Sequence, residues 1–152
     1  MNRKIKMMLT VLIIACGFTA CWDAEQNKNS AKGVKQNENS SVVMELLAVS
    51  DTMTEIIQTT TISLDGYDQK ALDQIDEQIT DTKQRYDGIT GVNCSYARSQ
   101  SQITEIIKID LKQADLSQLA ENGILCLDGN HENGLSFSNS IEHLNTLGFS
   151  FD

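Results

Sequence analysis

The chain has 152 residues, 21 of them acidic and 12 basic, for a formal charge of −9, and it contains no proline. An acidic surface of this kind repels nucleic acid and anionic lipid head groups, which excludes both as charge-driven partners. The length suits a single core of ordinary size, and the lack of proline argues against wall-spanning or rigid linker segments.

The first residues form a leader. Arg3, Lys4 and Lys6 make a positive head, no acid occurs before Asp23, and Met7 to Ala20 is an apolar run. That run is shorter than the roughly 20 apolar residues a spanning helix needs, so it predicts a secretory signal rather than a membrane span. The basic end stays in the cytoplasm and the remainder is exported. Phe18-Thr19-Ala20-Cys21 resembles the lipobox of bacterial lipoproteins, with Phe18 where that motif usually has Leu. The resemblance implies that the Cys21 thiol takes a diacylglycerol and that cleavage falls just before it. Ile13-Ile14-Ala15-Cys16 is a second, less favoured match, and an ordinary signal peptide is the alternative to both. Acyl chains contribute about 0.8 kcal/mol per buried methylene, and two or more chains anchor stably. The expected location is the extracytoplasmic face of the cell membrane, held by lipid on Cys21.

The leader carries three of the twelve basic residues and none of the acidic ones, which leaves a mature charge of −12. Residues 22–41 are rich in Asn, Lys, Gln, Glu and Ser with almost nothing apolar. Such a composition predicts a flexible polar tether following Cys21, with a reach on the order of 25 Å. The expected division is therefore 1–20 signal peptide, 21–41 lipidated cysteine and tether, and 42–152 one folded domain.

Within that domain, Val42–Val49 and the Thr- and Ile-rich stretch Thr52–Leu64 predict a hairpin turning at Ser50-Asp51. Leu72, Ile75, Ile79 and Tyr86 recur at helical spacing and predict a helix over 68–87, capped by Asp65 or Asp68 and stopped by Gly88. Asp73, Asp76, Glu77 and Asp81 lie off that stripe and read as a solvated face rather than a cation patch. Val92–Arg98 and Ile103–Leu111 predict a second hairpin, and Asp115–Asn122 a short helix with Gly123 behind it. A brief strand over 124–127, a polar loop and a helix over 138–147 follow. Asn139 and Glu142 suggest a capping box for that helix. Phe149 and Phe151 alternate as a last strand. The sum is an α+β fold: a mostly antiparallel sheet from two hairpins plus short strands, packed on one long and two short helices.

Several pieces together resemble the YehR-like family of small bacterial lipoproteins. They are Tyr86-Asp-Gly-Ile-Thr-Gly-Val92, Ile103 through Lys112, Ala114 through Leu119, Gly134-Leu-Ser136 and Leu147-Gly-Phe149. The resemblance spans roughly Val43 to Phe149 and implies a compact α+β fold at the cell envelope. These motifs look structural, and the family's function is unestablished, so the likeness carries over no catalytic residue.

Two cysteines remain once Cys16 is removed and Cys21 acylated. Cys94 and Cys126 are a candidate disulfide in an oxidising compartment, or else two buried small apolar residues. Asp128, Asn130 and Glu132 have the alternate-oxygen spacing that opens a calcium loop, but Asn133 and Asn139 stand where that loop needs Gly and Glu. A polar turn is the better reading of that stretch, and no cofactor is expected. His143 reads as a surface residue. There is no Gly-x-Ser-x-Gly elbow, Ser-x-x-Lys or His-Glu-x-x-His, so the sequence supports no enzyme. The expected role is a lipid-anchored binding or interaction module with an envelope protein or small ligand as partner. A metal-dependent enzyme or hydrolase at the Asp128–Glu132 loop is the alternative.

Overall fold

Alternation of apolar and polar residues decides the main sheet, and the computed structural model shows how far it extends. The structure describes residues 12–15, 27–128 and 134–152, with backbone alone at 12–15 and 126–128. In chain order the elements are β1 (Leu12–Ala15), β2 (Lys28–Gln36), β3 (Ser40–Val49), β4 (Thr52–Ser63), α1 (Gln69–Tyr86), β5 (Val92–Arg98) and β6 (Gln102–Asp110). They continue with α2 (Leu116–Glu121), β7 (Leu125–Asp128), α3 (Phe137–Thr146) and β8 (Ser150–Phe151). A six-stranded sheet runs β5-β6-β4-β3-β2-β8, every pairing antiparallel. β1 and β7 form a separate parallel pair. The α+β expectation and both hairpins are borne out.

One face of the sheet carries the core. Val42, Met44, Leu46 and Ala48 of β3 point inward with Ile103, Ile107 and Ile109 of β6. On β4 the buried residues Met53 and Ile56 are three apart, which strict alternation forbids. The register explains it: Ala48 faces Met53 and Leu47 faces Glu55, so Thr54 is an extra residue that resets the phase. Thr54 is not left unpaired, since its carbonyl accepts Leu111 N–H at 3.0 Å and its hydroxyl donates to the Leu47 carbonyl at 3.2 Å. Tyr86, Ile89, Leu119, Leu125, Leu135, Leu144 and Phe149 close over this face. A satellite cluster of Leu64, Ile75 and Ile103 sits under α1. The opposite face is wet, bearing the ion pairs Lys32–Glu45 at 3.3 Å and Glu55–Lys108 at 3.1 Å.

The tether expectation is overturned. Residues 28–36 are a strand that pairs with β3 over nine residues and with β8 at its centre. Only Gly33 of β2 is buried, so no apolar alternation announces the strand. A strand near the sheet's rim is held by backbone bonds and needs little apolar surface of its own. Gly33 lets the Phe151 ring lie against the backbone, where a Cβ would stand 2.5 Å from the ring. Lys35 donates to the Leu147 carbonyl at 2.8 Å and lies 5.9 Å from the centre of the Phe149 ring, tying β2 to the chain's end. Residues 28–36 thus belong to the folded sheet, ahead of the expected start at Val42.

Helix ends follow their capping residues. Asp68 caps α1 by accepting the Ala71 N–H at 2.8 Å, and Asp115 caps α2 by accepting from Ser117 and Gln118. For α3 the capping residue is Ser136, which accepts the Asn139 N–H, so the Asn139–Glu142 box is not the cap. At Gly91, φ is +78° and a Cβ would lie 2.8 Å from Ala114 N and Asp110 O; only glycine fits there. No helix among the described residues is long and apolar enough to cross a membrane.

Candidate binding site

Three separated stretches meet at the turn end of the β3–β4 hairpin. Met53 N–H donates to Leu135 O at 2.9 Å, Phe137 N–H to Asp51 O at 2.7 Å, and Leu111 N–H to Thr54 O at 3.0 Å. These bonds bring the hairpin, the β6–α2 connection and the entry to α3 together around a pocket of about 430 Å³. Val49, Met53, Leu111, Leu116 and Leu135 contribute apolar lining, and Thr52, Thr54 and Lys112 contribute polar groups. Gly134 lets the backbone approach Thr52, whose methyl would lie 3.2 Å from a Cβ at that position. Ion pairs among the described residues use Lys32, Lys108 and Arg98, and none uses Lys112. An open, mostly apolar pocket of this size, with one ammonium group among its described lining residues, suits a small amphipathic molecule.

Asp51, next to the lining residue Thr52, ties the hairpin turn to α3. Its carboxylate accepts the Ser136 hydroxyl at 2.6 Å, the Ser138 N–H at 2.8 Å and the Ser138 hydroxyl at 2.8 Å. Burial pushes this carboxyl up, but the three hydrogen bonds outweigh it and hold the acid below its ordinary value. The hairpin turn is thereby locked to the first turn of α3, where a negative charge also suits the helix dipole.

A second group of polar side chains lies under α1. Glu105 is 2% exposed on the core face of β6, and its carboxyl accepts the Tyr96 hydroxyl at 2.5 Å. Burial raises the Glu105 pKa, against a smaller lowering by that hydrogen bond. Burial, and then the Glu105 charge, push Tyr86 up to about 12. Tyr96 is raised by burial and by its bonds to Glu105 and Cys94, and Cys94 is raised first by burial. A thiol kept protonated is a poor nucleophile. Gln58 and Thr60 of β4 are also buried and bonded to each other at 3.1 Å. Tyr96 with Glu105 and Gln58 with Thr60 are each paired, and together they form a polar layer of the core.

Cys94 is a half-buried free thiol, and the side chain of its candidate partner Cys126 lies outside the described residues. Asn130, His131 and Glu132 lie outside the described residues, as does the Asp128 side chain, and Cys21 lies outside them too. No cluster suited to a metal ion occurs among the described residues. His143 departs from the surface expectation: it is half-buried on α3, with Nε2 buried and without a hydrogen-bond partner. The pocket and the Asp51 brace escaped the sequence reading, because their residues come from stretches some sixty and twenty positions apart and share no motif.

Residues 30–150 match the model of a family described as a protein of unknown function, DUF1307. Two solved structures share the fold. The NMR structure of Escherichia coli YehR protein is 14% identical, with a TM-score of 0.67, over 84% of this chain and 93% of that one. The NMR structure of a protein from Streptococcus pneumoniae TIGR4 is 12% identical, with a TM-score of 0.56, over 90% of this chain and 92% of that one. Identities this low speak for the fold alone. No curated protein matches the sequence.

Proposed function

The chain belongs to the DUF1307 family of unknown function, and on that premise we propose that it is a lipid-anchored binding module at the extracytoplasmic face of the cell membrane. The leader, with its basic head, short apolar run and Cys21, supports the anchoring. The observation that carries the binding role is the pocket of about 430 Å³ at the hairpin end. Its apolar lining takes the body of a small ligand, Lys112 an anionic head, and the threonine hydroxyls orient it. Binding is the reading because, among the described residues that line the pocket, Lys112 is the one ionisable side chain.

Two measurements test this. Mass spectrometry of the protein extracted from membranes should show a chain beginning at a diacylated Cys21, and Cys21→Ala should leave the membrane fraction. An NMR titration with decanoate should move the amides of Thr52–Thr54, Lys112 and Leu135, and Lys112→Ala should weaken that binding more than it weakens binding of decanol. No shift at these amides with either probe overturns the pocket as the site.

A further inference from the structure

Glu105 is a carboxyl at an apolar position. It points to the core side of β6 between Ile103 and Ile107, and its one hydrogen bond among the described residues comes from the Tyr96 hydroxyl. The groups that face it come from three elements. β5 brings Tyr96 and Cys94, and α1 brings Tyr86. β4 brings its register partner Thr60 and, bonded to Thr60, Gln58, both buried and uncharged. Lys83 and Arg85 of α1 are exposed and act on Cys94 and Tyr86 respectively. An ionised carboxylate in such surroundings is costly, and burial favours the protonated acid.

α1 covers this polar layer, and it is lightly fastened. Of its 18 residues only Ile75, Thr82 and Tyr86 are buried. Its apolar stripe meets the small cluster of Leu64 and Ile103, and an exposed Asp76–Arg98 pair joins it to β5. Gln78 lies on the helix side shared by Ile75 and Thr82, and its Oε1 is buried without a hydrogen-bond partner. The connections at Asp65–Gly66 and Asp87–Gly88 are exposed at the two ends of the helix. Elements held by few apolar contacts are those that open locally while the rest of a fold stands.

We infer that Glu105 is a proton latch for α1: while its carboxyl keeps the proton the helix stays docked on β5 and β6, and once the proton passes to solvent the helix swings out and lets water reach the carboxylate. The direction follows from linkage. Burial holds the Glu105 proton to higher pH in the docked state than an exposed carboxyl would hold it. Docking is therefore strongest in acid and weakens as pH rises. Opening bares the Leu72, Ile75 and Ile79 stripe of α1 and the polar layer beneath it. β3 and β4, which place Leu46 and Ile56 in the main core, stay folded.

Amide hydrogen exchange by NMR on the protein extracted from membranes tests this between about pH 4 and pH 8, with protection corrected for the intrinsic rate at each pH. The α1 amides from Ile75 to Tyr86 should be less protected than those of Leu46 and Ile56. Their protection should fall about tenfold per pH unit from about pH 4.5 until Glu105 is ionised in the docked state. In Glu105→Gln the α1 protection should hold its acid value throughout. Tyr96→Phe removes the bond that favours the carboxylate, so its fall should run on to higher pH than in wild type; this variant carries the test where Glu105→Gln does not fold. If the α1 amides share the protection of Leu46 and Ile56 at every pH, the helix opens only with the whole domain and the latch is overturned. A Glu105→Gln curve parallel to wild type, or a Tyr96→Phe curve that levels no higher in pH than wild type, overturns Glu105 as the trigger.

Discussion

Asp51→Ala should cost the domain about 2 kcal/mol, mostly through one buried hydroxyl that loses its short acceptor. Three donors lose their acceptor: Ser136 Oγ, Ser138 N and Ser138 Oγ. Ser138 is exposed, so water replaces both of its bonds at little cost. Ser136 is only 8% exposed and would keep only the longer 3.3 Å contact to the Ser138 hydroxyl, so the cost falls within the range of about 1–3 kcal/mol for a buried donor that loses its acceptor. A carboxylate near a helix start adds about 0.3–1 kcal/mol, discounted because Asp51 is itself exposed. The melting temperature should fall by roughly 5–10 °C. The pH dependence has a definite sign. Asp51 titrates below its ordinary value in the folded chain, so its stabilisation is full above the unfolded value near 4 and fades as pH falls through the folded one. Asp51→Asn keeps an acceptor and loses the charge. Its deficit against wild type in urea unfolding should therefore be present at pH 7 and shrink at acid pH. An Asp51→Ala protein with the wild-type urea midpoint at pH 7 would refute this account of how the hairpin is locked to α3.

Glu105→Gln should gain stability relative to wild type as pH rises. The folded state holds the Glu105 proton to higher pH than the unfolded chain does, so wild type loses stability from about pH 4.5 upward while the amide does not. Urea midpoints from pH 4 to 8 read this, and parallel curves for the two proteins would contradict it. Gly91→Ala should destabilise by more than the ~1 kcal/mol of a strained φ alone, because its Cβ meets the Ala114 and Asp110 backbones; a near-wild-type melt would count against the close approach. Cys94 should react with a thiol reagent at pH 7.5 much more slowly in the folded protein than in urea, since burial raises its pKa and shields it; equal rates would show an accessible thiolate.

Most of the fold was legible because its signals are local. The alternation in residues 103–111, Asp68 ahead of the Leu72–Ile75–Ile79–Tyr86 stripe and Asp115 ahead of Leu116 each act within a few residues, and each element formed where expected. What escaped depends on distant partners. β2 shows no apolar period because Val34 and its neighbours face water while Gly33 lies under Phe151, more than a hundred positions away. The cap of α3 is Ser136, whose hydroxyl accepts the Asn139 N–H and donates to Asp51 in the β3–β4 turn, 85 positions away. Met53 turned inward only through the extra residue at Thr54, which a period-two count cannot foresee. The pocket was illegible for the same reason: its walls exist only once three remote segments are bonded together.

The earlier start of the domain changes what an anchor at Cys21 would do. Twenty extended residues reach at most about 70 Å, but seven, the distance from Cys21 to Lys28, reach at most about 25 Å. Under the proposed anchoring, β2 is then the part of the domain held nearest the head groups. Its side chains fit that place better than the molecule's charge suggests. β2 carries Lys28, Lys32 and Lys35 and no acid, within a chain of formal charge −9. Lys32 and Lys35 are engaged by Glu45 and by the Leu147 carbonyl, whereas Lys28 is exposed at the strand's first position. An acidic globule tethered by a short lead orients by where its few cations lie, since anionic head groups attract each nearby lysine by about 1 kcal/mol and repel the acids. Under that anchoring, β2 sets both the closeness of the domain and which of its faces looks away from the membrane.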